Sequence, residues 1–359
     1  MGVARRLVSR GIALLAALII VVFLTSFMLC LSGRDKQAWL AIIDSMAREY
    51  KMSLRRGNPN MSEEEINKLV MEYKQQLIKA MGLDRPAVER ALRYAIRLLK
   101  LDLGCVQSTE VATIAGVPEN AKVSTAIMNV LPRTIIMITV AELICAAIAL
   151  PLAPYIAYKR GTLLDKFVVS YAAAFNAIPV WWLAMLFIYY LGHVLHVAPT
   201  DYRLVMSAIA RFWEDPASSL VQILYYAYVP ILAVVIAFLG TWFYTIRAIV
   251  LRIVTEDFVM VAKAKGLPDN LIARRHILRA ALPPIITYTI LALATSIGGF
   301  IITESVFDWP GMGMLYYAAA TTMDMNTLMA LIFITTAVYV AARFVLEVLY
   351  IILDPRVRL

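Results

Sequence analysis

Charge is scarce in this sequence. Asp, Glu, Lys and Arg make up 16% of the 359 residues, and apolar types make up 61%. Water-soluble domains are about a quarter charged and rarely hold repeated apolar runs of about 18 residues or more. The shortage excludes a soluble domain and points to an integral membrane protein. Histidine is also rare, occurring only at His193, His196 and His276. His193 and His196 would share a helix face at i, i+3, but with no carboxylate or cysteine beside them they make an incomplete metal site. The cysteines Cys30, Cys105 and Cys145 are too few and too scattered for a disulfide framework or a metal cluster. HExxH, GxSxG and GxxxxGK[ST] are all missing, which excludes a zinc-protease helix, a nucleophile elbow and a phosphate-cradling loop. No catalytic residue and no cofactor site is expected. The net charge of +9 comes without any nucleic-acid recognition motif, and basic loops beside anionic lipid account for it.

What the sequence has in abundance is long apolar runs, at about 11–32, 131–158, 167–193, 222–248, 284–304 and 328–352. Each can cross a hydrocarbon core of roughly 30 Å as a helix, and none shows the two-residue alternation of a barrel strand. The expectation is an all-α protein with six transmembrane helices. The first run follows Arg5, Arg6 and Arg10, is longer than a signal-peptide core, and has no small-x-small site after it. It reads as a retained span. Lys159, Arg160 and Lys166 fall in one short loop and Arg356 and Arg358 in the tail, whereas 305–327 carries no Lys or Arg. This asymmetry puts both termini and residues 249–283 in the cytoplasm. Residues 33–130 then form an extracytoplasmic helical insertion, with amphipathic helices broken at GNPN and GLDRP and a capping box at Ser62 and Glu65. The chain thus divides into 1–32, 33–130 and a core of 131–359.

Ionisable groups inside spans are functional candidates because lipid solvates them badly. Arg133, Glu142, Glu304, Arg343 and Glu347 fall within or near the runs. Glu142 and Asn176 are the candidates for lining a translocation path, and for Glu142 a bond to a neighbouring helix is the equal alternative. Arg343 and Glu347 are spaced to pair at i, i+4. In ESVFDWPGMG, Pro310, Gly311 and Gly313 should end helical structure in a turn at the outer surface, with Trp309 as an interfacial anchor. VAKAKG reads as a short helix stopped at Gly266, and NLIARRHILRAALPP as a second one stopped before Pro283 and Pro284. Lys263, Lys265, Arg274, Arg275, His276 and Arg279 make the pair basic. Its residues alone leave a protein dock and a membrane-surface helix equally open.

The stretch AKAKGLPDNLIARRHILRAALPP resembles the cytoplasmic coupling loop of ABC importer permeases, in the version found in dipeptide and oligopeptide importers. Ala264, Lys265, Gly266, Leu267, Arg275, His276, Leu278 and Arg279 fill the places of that pattern. RYAIRLLKLDLG, YKRGTLLDKFVVSYAAAFNAIPVWWLAMLFIYYL, GGFIITESVFDWPGMGMLYYAAATTMD and LYIILDPRVRL are similar to further family stretches in the same order. Two departures stand out. Met260, Val261 and Ala262 replace the generic Glu-Ala-Ala, and residues 34–80 match nothing in the pattern. The resemblance implies a B-type permease subunit of the type I architecture. Its partners would be a second permease chain, two ATPase subunits that bind the ATP and Mg, and an extracytoplasmic substrate-binding protein, all around one lipid bilayer. It also implies that residues 255–280, including Ala262 and Lys263, dock on an ATPase with Leu267, Ile272 and Leu278 as apolar anchors. Trp309, Pro310 and Gly311 would face the binding protein. The cargo would be di- or oligopeptides, with oligosaccharides or nickel as alternatives known among similar systems. A stand-alone secondary transporter or channel would need an internal repeat, and none is visible between the halves.

Overall fold

In lipid a backbone must satisfy its own polar groups, and a helix does so within one segment. The computed structural model describes residues 3–58 and 60–353, and among these all regular structure is helical. Helix α1 is Val3–Leu31. Gly33 turns the chain at φ +71 into α2, Arg34–Gly57. Helix α3, Glu63–Ala80, opens on the expected capping box, in which the Ser62 hydroxyl accepts from the Glu65 amide and the Glu65 carboxylate accepts from the Ser62 amide. Helices α4 (Ala87–Leu99) and α5 (Thr109–Ala115) complete the region before the second span. There follow α6 (Val123–Tyr158), α7 (Leu163–Ala177), α8 (Val180–Val194), α9 (Val205–Ala210) and α10 (Pro216–Val254). The remainder is α11 (Asp257–Ala264), α12 (Asp269–Ser296), α13 (Ile301–Phe307), α14 (Met312–Thr321) and α15 (Met325–Leu353). Arg356 and Arg358, used for the orientation, lie outside the described residues.

Among the described residues, five helices (α1, α6, α10, α12 and α15) are long and apolar enough to cross a membrane, and α7 with α8 makes a sixth if counted as one span. The run at 167–193 is not one straight helix, because α7 and α8 meet at 89°. Pro179 removes an amide donor and forces Ile178 out of the helical region, to φ −95 and ψ 121. Proline does not act alike everywhere. The expected stop before Pro283 and Pro284 does not occur, and α12 runs through both to Ser296. Inside a membrane, packed neighbours and hydroxyl side chains compensate for the missing bonds, and Thr287 Oγ1 bonds the Pro283 carbonyl at 2.8 Å. The fifth run ends at Gly298 and Gly299 instead, with Gly299 at φ +76, so residues 301–304 belong to the separate helix α13.

Helix α1 sits at the edge, with only 11% of its apolar window buried within this chain. Leu18 and Val22 pack against Ala95 and Leu98 of α4 and Met329 and Phe333 of α15. Arg90 of α4 clamps Asp35 at 2.7 and 3.1 Å and also bonds the Cys30 carbonyl at 2.9 Å. In the centre, α10 lies along α6 and α7, so closely that a Cβ on Gly240 would sit 2.9 Å from the Cα of Ala172. Glu347 meets Arg10 of α1 at 3.9 Å, so the expected Arg343–Glu347 pair gives way to a contact between helices.

The ESVFDWPGMG segment is the chief departure. Trp309 is fully buried, and Pro310 and Gly311 are buried with it, so the three are a core piece and cannot be an interfacial anchor or a partner contact. The cause is Glu304, which is fully buried on α13. Its carboxylate accepts from the amides of Gly313 (2.8 Å) and Met314 (3.1 Å) at the start of α14, and from the Thr134 hydroxyl of α6 (3.0 Å). Thr134 in turn accepts from the Met312 amide at 2.7 Å. Trp309 Nε1 donates to the Arg133 carbonyl at 3.0 Å. The Arg133 guanidinium donates to the carbonyls of Ile114, Ala115 and Pro310 at 2.7, 3.3 and 3.1 Å. A carboxylate thus faces the positive end of one helix and a guanidinium the negative end of another.

Two stability outcomes follow, both read by thermal unfolding of the purified chain in detergent. Glu304→Leu strands two amides and a hydroxyl away from water, at about 1–3 kcal/mol each, and should prevent recovery of a monodisperse protein. Glu304→Gln keeps an acceptor for the amides and should fold with a lowered melting temperature; equal stability of the two variants would refute this arrangement. Asp35→Ala should cost about 3–5 kcal/mol by leaving Arg90 buried and unpaired, and Asp35→Leu combined with Arg90→Met should recover most of it.

Candidate functional site

At the end of the bundle that carries Arg5, Arg6 and Arg10, α10 stops at Val254 and the chain builds a short helical pair. Helix α11 closes in a left-handed stop. Gly266 at φ +72 donates its amide to the Lys263 carbonyl (2.9 Å), and the Leu267 amide reaches back to the Ala262 carbonyl (3.3 Å). This is a Schellman motif, and nothing lies within 4 Å of where a Cβ on Gly266 would be, so glycine is required by conformation and not by space. Pro268 then opens α12, whose first turns include a wider i→i+5 turn over Ile272–Ile277.

The pair has two faces. Val259, Ala262, Ile272, Ile277 and Ala281 are buried in one cluster with Ile156 and Ala157 of α6, Val168 of α7, and Ile246 and Val250 of α10. Lys263, Lys265, Gly266, Arg274, Arg275 and Arg279 are exposed, and His276, Leu267 and Leu278 are half-buried. Ile272 is therefore not an outward anchor, because it fills the chain's own core. The apolar groups that do face out are Phe258, Met260, Val261 and Leu271, at 42, 58, 52 and 36% exposure. Phe258 and Val261 stand close to Ala262 in the sequence, but the pitch of α11 turns them away from its buried side.

The base of the bent span is fastened to α10, beside the pair. Asp165, in the first turn of α7, accepts from Arg247 of α10 at 2.6 and 3.0 Å and from the Gly161 amide at 2.9 Å. The pairing of Asp165 with Arg247 went unseen in the sequence, where the two stand 82 positions apart. The Tyr158 side chain at the end of α6 lies beside Asp269 at the start of α12.

Of the two candidates for a path, Glu142 is buried and accepts from Trp242 Nε1 of α10 at 2.6 Å, which is the helix-to-helix bond of the two readings left open. Asn176 is exposed beside the bend and accepts from the Thr241 hydroxyl at 2.6 Å. The structure does not bring Glu142 and Asn176 into one site. Among the described residues no group of three or more His, Cys, Asp or Glu could hold a metal ion. His196 lies beyond the end of α8 at φ +51, so it shares no helix face with His193.

Known proteins are similar to this chain in sequence. The profile of the family described as binding-protein-dependent transport system inner membrane component matches residues 149–359. The oligopeptide transport system permease protein of Bacillus subtilis is 26% identical over 291 residues, covering 81% of this chain and 86% of that one. The probable D,D-dipeptide transport system permease protein of Escherichia coli K12 is 29% identical over 307 residues, 80% of this chain and 84% of its own. The metal-staphylopine import system permease protein of Staphylococcus aureus Mu50 is 23% identical over 356 residues and covers 98% of each chain, the first span and residues 34–80 included. With the matched region taking in α7 and α8, the basic helical pair and the buried Glu304 segment, the chain belongs to the binding-protein-dependent transport system inner membrane components, the multi-pass permeases of ABC importers.

Proposed function

We propose that this chain is one of two homologous permease subunits of an ATP-driven importer of di- and oligopeptides, that it forms half of the translocation path, and that it performs no hydrolysis itself. ATP and Mg belong to two ATPase subunits on the cytoplasmic side, and cargo is delivered by an extracytoplasmic binding protein. Both termini and residues 249–283 are cytoplasmic on this reading, and α2–α4 form the outer cap. The peptide cargo is supported by the names of the oligopeptide and D,D-dipeptide relatives. A metal chelate is the second reading, favoured by the staphylopine relative that covers 98% of the chain.

The observation that carries the coupling role is the two-faced helical pair at 257–278. Its buried face is continuous with the core of α6, α7 and α10, so it cannot shift without moving them. Its exposed face offers Arg274, Arg275 and Arg279 with Phe258, Val261 and Leu271, the mixture of charge and apolar anchor that a protein partner recognises. A membrane-surface helix would instead turn its whole apolar face to lipid, whereas here Val259, Ala262, Ile272 and Ile277 are consumed internally. ATP-driven closure of the ATPase pair would be transmitted through this lever, provided the dock holds differently in the two permease states. Asn176, exposed beside the bend, is the candidate for contact with cargo.

Co-purification of an ATPase with the full chain tests the assignment. Gly266→Val, which strains the stop by about 1–3 kcal/mol, should abolish uptake of a labelled dipeptide into proteoliposomes holding the whole transporter. Membrane insertion and yield should be unchanged. Arg275→Glu with His276→Glu should do the same and release the ATPase on gel filtration. Uptake persisting in both variants would remove the lever from this segment.

A further inference from the structure

Three consecutive residues of α10, Gly240, Thr241 and Trp242, hold that helix to three others. Gly240 marks the close approach of α7, where a Cβ would sit 2.9 Å from the Cα of Ala172. The Thr241 hydroxyl donates to Asn176 Oδ1 at 2.6 Å, one turn further along α7 and just before the break at Ile178–Pro179. Trp242 faces different helices. It is fully buried and donates Nε1 to Glu142 Oε2 of α6 at 2.6 Å. Its ring stands edge-on to Tyr288 of α12, with centroids 4.8 Å apart at 71°.

A buried indole needs an acceptor for its N–H, and a backbone carbonyl or an amide side chain would serve. Glutamate is a costly acceptor inside a span, because lipid solvates an ionisable group badly. The pair of contacts secures position. With its N–H bonded to Glu142 and its ring against Tyr288, the indole cannot turn without losing one of them. Tyr288 in turn belongs to the helix that begins with the lever, and α12 is unbroken from Leu278 to Ser296. From Arg279 to Tyr288 it rises about 14 Å at 1.5 Å per residue. A displacement of the exposed arginines therefore reaches the indole along a single helix.

We propose that Trp242 is a positioning residue for transport. It takes up movement of α12 at Tyr288 and, through the adjoining Thr241, passes it to Asn176 at the bend, while Glu142 holds the indole in register. The inference rests on the reading of residues 257–278 as the lever, and it adds the internal route from that lever to the bend. Adjacent positions on one rigid helix move together, so a shift felt by Trp242 is a shift of Thr241. Packed side chains pass such a shift on because they change between discrete arrangements.

The test uses the whole transporter in proteoliposomes, with Ala177→Cys placed at an exposed position beside the bend. Cys105→Ser removes the exposed cysteine, and Cys30 and Cys145 are buried. The rate at which a maleimide alkylates position 177 is followed with and without ATP and vanadate, together with dipeptide uptake and ATP hydrolysis. Nucleotide should change the alkylation rate severalfold in this background. Trp242→Phe, which keeps a ring and loses the N–H, and Tyr288→Leu should each erase that response. Each should also lower the peptide taken up per ATP hydrolysed roughly tenfold, within the range by which residues along a coupling route shift such equilibria. The two combined should be no worse than either alone, because they interrupt one route. Glu142→Gln keeps the acceptor and Tyr288→Phe keeps the ring, and both should preserve the response. A nucleotide response that survives Trp242→Phe and Tyr288→Leu would overturn the relay and leave the lever standing. No response in the background chain would overturn relay and lever together. Uptake and ATP hydrolysis falling in the same proportion would mark a merely structural role and overturn the relay as well. Should Trp242→Phe fail to fold, Tyr288→Leu at its half-buried position decides between the same outcomes.

Discussion

A carboxylate cut off from water must be surrounded by hydrogen-bond donors, and Glu304 imposes that rule on one whole end of the molecule. Leaving such a group unpaired would cost several kilocalories per mole, so the chain around it is built to deliver N–H and O–H groups. Two amides come from the start of α14 and a hydroxyl comes from α6. The glycines of the segment follow from the same demand. A Cβ on Gly311 would collide with the Glu304 carboxylate, and one on Gly313 would sit 2.7 Å from the Ile301 amide nitrogen. Side-chain-free backbone is what lets α13 and α14 approach closely enough to share one buried charge. Since Trp309 and Arg133 tie the same turn to α5 and α6, this end of the bundle behaves as a single fastened unit.

At the basic end the chemistry differs, with apolar packing inside and charge outside. The helical pair shares its core with α6, α7 and α10, and the Arg247–Asp165 clamp holds the base of α7. Beyond that base α7 runs to the break at Ile178–Pro179, where Asn176 and Thr241 meet. A continuous chain of packed and charged contacts therefore leads from the exposed arginines to the sharp bend between α7 and α8. Contacts of this kind pass on displacement because packed interiors shift between discrete arrangements and do not deform smoothly.

How much of this was legible in the sequence depends on the range of the interaction involved. Features set within a few residues could be read directly: the Ser62 capping box, the left-handed stop at Gly266 and the apolar runs. Proline was readable only in part. Pro179 breaks its span as its missing donor requires, yet Pro283 and Pro284 are carried within α12, because neighbours far along the chain decide whether the lost bonds are made good. Partners 55 to 177 positions apart could not be read at all, which is why Arg90, Arg133 and Arg247 stood in the sequence as isolated charges. The same limit made Trp309 look like a surface anchor. An aromatic beside Pro-Gly fits an interface equally well until the buried carboxylate that draws the turn inward is known.

The clamp between Asp35 and Arg90 has a further consequence, for the order in which the protein is made. Helix α1 buries little of itself, and its firmest attachment at that end is to an arginine 55 residues later. A ribosome completes α1 and Asp35 well before Arg90 emerges. The first span therefore emerges as a nearly solitary helix and stays loosely held until α2, α3 and α4 have folded against it. Quality control during biogenesis has a defined interval in which to act. A chain stalled between residues 35 and 90 exposes an unpaired buried acid, and one that passes this point has sealed it.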